Sequence, residues 1–390
     1  MSRRDLVDIA VVGSGVVGAA AALAFARDGW SVALLEAREP PRWREDAPDL
    51  RVYALAPDGM ALFDTLDVGA SIRDARAYPY RGMEVWDAAG DGRLCFDADR
   101  FARRELGWIV ENGLLVDRLW QALQREDVAL HVPASVAGLE QDATRATLRL
   151  EDGRRLQARL VVAADGAASA LRAFADIDAP VHDYAQGGLV AYVDTDEPLR
   201  ATCYQRFLPT GPLALLPVGS HRASIVWSAP IDEAKRLREL DDDALSRALT
   251  DASGARLGTV RPVSARAVFP LRRQLAARYR EGRLLLVGDA AHVVHPLAGQ
   301  GVNLGLRDVA ALRAALPRPG RDVDPATSRL QRWARARRSA CTRAAMAFET
   351  INRAFSNDAA LPTLLRGPLL GLAGRLPPLQ HALWREAAGL

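Results

Sequence analysis

The chain has 390 residues, 25% of them charged and 49% apolar, which is the composition of a globular protein long enough for roughly two to three domains. Its net charge of +3 is carried almost wholly by Arg, with Lys235 the single Lys, and is too mild to point to nucleic acid. Three scattered cysteines, Cys95, Cys203 and Cys341, exclude a disulfide framework, lack structural-zinc spacing and fit a reducing compartment.

The N-terminal MSRRDLVDIAVVGSGVVGAAAALAF sets two Arg before an apolar stretch, as a secretory leader does. Gly13, Gly15 and Gly18 punctuate that stretch, and Asp5 and Asp8 interrupt its start, so a folded strand–turn–helix is expected instead. No later run of about 18 uninterrupted apolar residues predicts a spanning helix. Ile9–Val12 reads as a strand buried on both faces. Gly13-Ser14-Gly15-Val16-Val17-Gly18 matches GxGxxG: Gly13 permits the turn, Gly15 lets backbone N–H groups approach a pyrophosphate, and Gly18 lets the helix pack close to the strand. The Ala-rich helix ends near Asp28-Gly29, and Ser31–Leu35 forms a second strand with Glu36 at its end. An acid there accepts hydrogen bonds from ribose hydroxyls and repels a 2′-phosphate. Strand, glycines, helix, strand and acid in this order predict a bound dinucleotide, FAD or NAD, over a Gly-rich turn in an ordinary α/β protein.

Arg51 opens an apolar segment leading into a helix expected over Pro57–Leu66. It is either a surface cation or a cation reaching a diphosphate or a flavin. Gly82–Asp99 and Asp176–Leu275 show short β-branched and aromatic runs between Pro and Gly turns, the pattern of an antiparallel or mixed sheet. Between them, Leu160–Ala164 reads as a buried strand, followed by an Asp165-Gly166 turn and by Ser169 and Arg172 at helical spacing. Leu284–Val287 is another strand, with a Gly288-Asp289 turn at its carboxyl end, where ligands lie in open α/β sheets. His292, His295, Pro296 and Gly299-Gln300-Gly301 follow, and a helix starts near Asn303. Its N-terminal amides favour negative charge above the turn, such as a reduced isoalloxazine carries. Ser328–Phe355 is expected as an Arg-rich helix with a solvated face. Beyond it, a Leu-rich stretch from Leu361 to Trp384 is broken by Pro362, Pro368, Pro377 and Pro378, so it is a packing cap or an amphipathic contact surface.

The strings DGAASALR and GDAAHVVHPLAGQGVNLGLRD resemble the DG and GD motifs of single-component FAD-dependent aromatic hydroxylases. Within that superfamily the chain most resembles, over essentially its whole length, the ubiquinone-biosynthesis hydroxylases, with LGWIVENGLLVDRLWQAL and YQRFLPTGPLALLPV in agreement and HPLAGQGVNLGLRD the most specific part. The resemblance implies an α/β fold (α+β overall). A Rossmann-like FAD-binding domain from residues 1–80, 103–175 and 276–327 is expected to interleave with a mixed β-sheet substrate domain from 81–102 and 176–275, ahead of a C-terminal helical segment, 328–390. It implies that Gly13, Gly15, Val16, Gly18 and Glu36 hold the ADP half of FAD and that Arg51 lies along the flavin. Asp165 and Gly166 would lie near the pyrophosphate, Gly288 and Asp289 by the ribityl chain, and Pro296, Gly299, Gln300, Gly301 and Asn303 by the isoalloxazine.

The implied reaction uses NAD(P)H and O2 to hydroxylate an aromatic ring, here a polyprenyl phenol or quinol, through a flavin C4a-hydroperoxide. The cofactor carries that chemistry, so no catalytic side chain is named: His295 and Pro296 are flavin-face candidates only, and His292 reads as a support. No metal is expected, since no third ligand stands near the two histidines in sequence. The chain departs from an expected VENRxLQ pattern at Glu111-Asn112-Gly113-Leu114-Leu115-Val116, where Val116 replaces a Gln that touches FAD in related hydroxylases. That departure, with Gly113 in place of an Arg, gives footing to a flavin-bearing scaffold or redox sensor with little turnover, and a hydroxylase for another aromatic is a further alternative. The expected location is cytoplasmic, with the C-terminal segment a candidate contact to the inner face of the membrane or to a biosynthetic complex.

Overall fold

The computed structural model describes residues 6–88, 90, 92–294, 301–316, 319, 328–355 and 376–389. Its first layer is a sheet whose central strand, Leu6–Val12, runs parallel to Val32–Leu35 on one side and Arg155–Ala163 on the other. Val128–His131 extends the sheet beyond Val32–Leu35, and Leu284–Leu286 extends it beyond Arg155–Ala163, both also parallel. The runs IAVV, VALL, LVVA and LLL are almost wholly buried, as strands covered on both faces require. The helix Val16–Arg27 packs on this sheet through Ala19, Ala20, Ala21 and Ala22, small side chains that bring helix and strands close.

Register places the site. Val12 pairs with Leu35 and Ala163, and Ala163 pairs with Leu286, so the carboxyl ends of four strands stop on one edge. The hydrogen-bond ladder runs into the loops themselves: Gly13 N–H donates to Leu35 O at 2.8 Å, Ala164 N–H to Val12 O at 2.8 Å and Val287 N–H to Ala163 O at 3.0 Å. Gly13, Glu36, Asp165 and Gly288-Asp289 are far apart in sequence but neighbours along that edge.

The second layer is a nine-stranded sheet. It is antiparallel except where Thr202–Leu208 runs parallel to Gly82–Asp87. Gly82–Asp87 and Arg93–Asp97 belong to it, as does Ala267–Leu275, which pairs with the long strand Val181–Thr195. His292–Val293 pairs with Leu275 and Gln274, so the chain crosses from the first sheet to the second within six residues of Leu286. Strands alone were expected between 176 and 275, but the structure adds the helices Ile231–Glu239 and Asp242–Ser253. Their charged sequences hide a sparse apolar stripe: Leu237, Leu245 and Leu249 bury against the sheet face formed by Leu189, Val193, Leu213 and Ile225.

A small sheet of Val52–Leu55, Gly107–Glu111 and Ala77–Tyr80 bridges the layers. The helix Gly301–Ala315 is covered by the 28-residue helix Ser328–Phe355, whose Leu330, Trp333 and Cys341 are buried while Arg329, Arg332, Arg335, Arg338 and Arg343 face solvent. A last helix spans Pro377–Ala388. Among the described residues, no helix is long and apolar enough to cross a membrane.

Candidate functional site

Between the two layers lies a cavity of about 1020 Å³. It has two unlike ends. The end at the strand edge is built from backbone. A Cβ on Gly15, Gly166 or Gly301 would meet nothing within 4 Å, so these three glycines leave their amides open to the cavity. Gly166 also has φ +84°, a conformation that disfavours side chains. Gly13 and Gly18 serve otherwise: a Cβ on Gly13 would lie 2.3 Å from Ala164 O, and one on Gly18 would lie 2.0 Å from Gly13 O. They close the strand–helix junction, and Gly15 faces what lies above it.

Glu36 stands half-buried at the strand edge. Its Oε2 accepts the Ser14 backbone N–H at 2.6 Å and the Ser14 hydroxyl at 2.8 Å, and its Oε1 accepts the Arg38 N–H at 3.2 Å. Asp165 accepts the Leu171 N–H at 3.2 Å through Oδ2, while its buried Oδ1 has no partner among the described residues. Val16 lines the cavity as the first residue of its helix. Gly288 takes φ +58° against Val17 and turns the chain so that Asp289 opens onto the cavity. The protein otherwise walls Asp289 in, and this burial pushes its pKa up, against the pull of His292 and Arg51. Arg51 lines the cavity with its guanidinium 5.6 Å from the Phe269 ring centre.

Two further polar residues stand among these: Tyr53, which no motif singled out, and Arg172, which closes the DGAASALR string. Tyr53 donates from its hydroxyl to Asn112 Oδ1 at 3.2 Å, and burial raises its pKa against the opposing effect of Arg51, so the phenol keeps its proton. Arg172 donates to Ala290 O at 2.9 Å and to Ala167 O at 2.7 Å, tying the Asp165-Gly166 turn to the Gly288-Asp289 turn. The helical spacing of Ser169 and Arg172 was visible: Ser169 caps the short helix by accepting the Arg172 N–H at 3.0 Å. The partner carbonyl, 118 residues away, was not.

Asn303 is not a cavity residue. Its side chain is fully buried, donating to Ala54 O at 2.9 Å and accepting the Ala56 N–H at 2.9 Å. It clamps the Gly301–Ala315 helix to the bridging sheet, so its polar atoms are spent on packing. The helix itself starts at Gly301, two residues earlier than expected. Val116, the departure from the related pattern, packs against the apolar core, and Gly113 N–H donates to Asp49 Oδ2 at 3.1 Å. The cavity wall here uses Asn112 instead. His295, Pro296, Gly299 and Gln300 lie outside the described residues.

Beneath the Gly288-Asp289 turn is a buried charge cluster. His292 Nε2 lies 2.6 Å from Asp308 Oδ2, which also accepts the Gly288 N–H at 3.1 Å. Arg337 Nε donates to Asp308 Oδ1 at 2.7 Å, and Tyr279 stacks on the imidazole with ring centres 6.0 Å apart. Burial disfavours the imidazolium, but the Asp308 carboxylate outweighs it and holds His292 well above its ordinary pKa. Burial likewise pushes Asp308 up, and His292 and Arg337 together keep it below the usual carboxylate range. His292 thus supports the turn from below. Contrary to the expectation that it lacks further ligand-type neighbours, Asp308 and Cys341 converge on it, with ligand atoms within 4.8 Å of one another. The Arg337 guanidinium already supplies the cation that balances Asp308.

The other end of the cavity is built from side chains on one face of the nine-stranded sheet. Gly188 and Val190, Cys203 and Gln205, Pro212, Ala214 and Leu216, and Val226 and Ser228 alternate along their strands with residues that pack the opposite face. Gln205, Ala214 and Val226 stand side by side across three strands. The surface is mostly apolar and low-profile, with Gln205 and Ser228 on its floor and Arg272 and Gln274 of the Ala267–Leu275 strand among its polar side chains.

A family model described as FAD binding domain matches residues 6–348. The chain is 39% identical over 307 residues to the 3-demethoxyubiquinol 3-hydroxylase of Escherichia coli K12, covering 78% of each chain. It is 35% identical over 391 aligned positions to the ubiquinone hydroxylase UbiL of Rhodospirillum rubrum, covering 100% of this chain and 91% of the relative. In fold it is similar to p-nitrophenol 4-monooxygenase PnpA from Pseudomonas putida DLL-E4, with a TM-score of 0.78 at 19% identity over 98% of this chain and 99% of the other.

Proposed function

The chain belongs to the FAD-dependent hydroxylases of ubiquinone biosynthesis, and on that premise we propose that it adds one oxygen atom from O2 to the aromatic ring of a polyprenyl phenol or quinol, with NAD(P)H as reductant. The observation that carries this reading is the single cavity with a glycine-lined polar end and an apolar floor. The polar end fits FAD. Its glycines Gly15, Gly166 and Gly301, with Asp165 and Glu36 on the adjoining strand edge, are the groups that a dinucleotide's phosphates, ribityl chain and ribose would engage. FAD, when bound, supplies the redox and O2-activating chemistry.

The protein's own residues hold and orient. Arg172 fixes the two turns relative to each other, and the His292–Asp308–Arg337 cluster fixes the second from below. Tyr53 and Asn112 present a hydrogen-bonding pair to the cavity, and Asp289 presents its carboxyl there. The sheet face places an aromatic ring against Ala214 and Val226, where Gln205 and Ser228 can receive its hydroxyl, and excludes water with apolar side chains. In domain terms, residues 1–80, 103–175 and 276–327 serve the cofactor, and 81–102 and 176–275 serve the substrate. The C-terminal Leu-rich stretch from Leu361, in which Leu376 is exposed, gives peripheral contact with the cytoplasmic face of an anionic membrane. Liposome flotation checks this: equal flotation after truncation from Leu361 would contradict it.

Quinone profiling of a deletion strain tests the substrate class. Accumulation of a prenylated intermediate lacking one ring hydroxyl is expected and names the position. An unchanged quinone profile would point to another aromatic substrate.

A further inference from the structure

The far wall of the cavity is not part of either sheet. Leu383, Trp384, Ala387 and Ala388, four residues of the Pro377–Ala388 helix, line it beside Met83 and Phe96, which pack against the Trp384 and Ala388 cluster. This helix is seated by specific contacts. Trp384 stacks on Phe101 with ring centres 4.6 Å apart and planes 9° from parallel, and Arg103 lies 5.5 Å from the indole centre. At the helix C-terminus, Arg307 donates to Ala387 O at 2.8 Å while also pairing with Asp58 at 2.5 Å. Arg307 belongs to the Gly301–Ala315 helix, whose first residues line the polar end. The wall is therefore latched both to the turn that follows the Arg93–Asp97 strand and to the helix at the cofactor end. Trp384 is buried, and its indole N–H has no acceptor among the described residues. Leu383, one residue away, is 44% exposed although it lines the cavity, which puts it at the rim where the apolar arm meets solvent.

We propose that the Pro377–Ala388 helix is the specificity wall of the substrate cavity, and that the isoprenoid tail of the substrate leaves the apolar arm over Leu383 and Trp384. The proposal rests on the reading of the substrate as a prenylated phenol and deepens it by naming the residues that select the tail. A ring alone needs only the sheet face. An apolar chain attached to that ring extends past Met83 and Phe96, and the contact it would meet there is this helix. Leu383 then shields the emerging chain from water, and Trp384 sets the width of the passage.

The test titrates the FAD-loaded full chain with two phenols, one bearing a chain of a few isoprene units and the same phenol without it, and reads Kd from the flavin absorbance. Wild type is expected to favour the prenylated phenol. Leu383→Arg, on an exposed position, is expected to weaken the prenylated phenol about tenfold, as exposure of a few methylenes implies, and to leave the chain-free phenol within about twofold. Trp384→Ala should narrow the same preference and Trp384→Phe, which keeps the stack, should restore it. Equal weakening of both phenols, or an unchanged preference, would overturn the role of the helix while leaving prenylated phenols as substrates. A wild type with no preference for the chain would overturn the tail assignment itself, and hydroxylation of the chain-free phenol would then show whether ring chemistry stands.

Discussion

The two ends of the cavity are made of different material. The cofactor end is backbone: turns at Gly15 and Gly166, brought to one edge by parallel register, and Gly301 at the start of a helix. The substrate end is side chain: every second residue of antiparallel strands, presented on a flat face. At the first end, a single methyl group on Gly13 or Gly18 would clash with main chain, whereas one on Gly15 would meet only the space above it. At the second, residues of similar size and polarity are interchangeable, and selectivity is spread over many small contacts. A catalytic platform and an adjustable pocket are thereby kept on separate layers.

The contrast is open to mutation, most strongly beneath the cofactor end. Asp308→Ala leaves His292 and Arg337 buried without their counter-charge, and a loss of about 3–5 kcal/mol in urea unfolding is expected. The pH dependence follows from the same cluster. His292 is raised on folding, so its contribution is full below 6.5 and is lost as pH climbs through its folded value. Asp308 is lowered, so its contribution is full above 3.8 and is lost on acidification through its folded value. Stability should therefore fall with rising alkalinity in wild type, and His292→Gln should flatten that limb. A limb that persists unchanged would assign it to other groups.

The next effect separates glycines that pack from those that bind. Gly18→Val places a Cβ 2.0 Å from Gly13 O and should destabilise the apoprotein by about 3 kcal/mol. Gly15→Val points into open space, so apoprotein stability should hold within about 0.5 kcal/mol while FAD retention on desalting is lost. Equal destabilisation by the two would mean that Gly15 is structural. Arg172→Ala removes two charge-assisted bonds between the turns and should weaken FAD by roughly tenfold or more in a fluorescence titration, with Arg172→Lys failing to restore it.

At the substrate end, Ala214→Phe should cut substrate-stimulated NAD(P)H oxidation about tenfold by filling the floor, with FAD affinity unchanged. Loss of FAD in that variant would show that the two ends are not separable. The smallest effect belongs to Tyr53→Phe, which forfeits one bond to Asn112 and about 1 kcal/mol at most, seen as a modest rise in Kd for FAD or phenol.

The same contrast explains what was legible in the sequence. Gly13, Gly15, Gly18, Glu36, Asp165 and Gly288-Asp289 announce themselves because a tight turn after a strand leaves few residue choices, and those choices are consecutive in the chain. The long Ser328–Phe355 helix was visible in full for a related reason, its continuous helical pattern. Asp308 closes the quoted HPLAGQGVNLGLRD string, but its pairing with His292 arises only through helix packing, and nothing local marks Cys341 or the Arg337 that bonds Asp308. Asn303 shows the converse hazard: a polar residue inside a binding motif whose polar atoms are used to hold the motif in place. The sheet floor was recognised as strands but not as a list of contacts, because alternation reveals two faces and not which one is vacant. The two helices at Ile231–Glu239 and Asp242–Ser253 were obscured by charge.

The most direct measurement is a single reaction. The FAD-loaded protein, NAD(P)H and a prenylated phenol are incubated under isotopically labelled O2, and the product is weighed by mass spectrometry. One labelled oxygen atom on the ring, with NAD(P)H consumed in step, is the expected result. NAD(P)H consumption that yields only peroxide and unchanged phenol, or a flavin that NAD(P)H does not reduce, would contradict the hydroxylase reading.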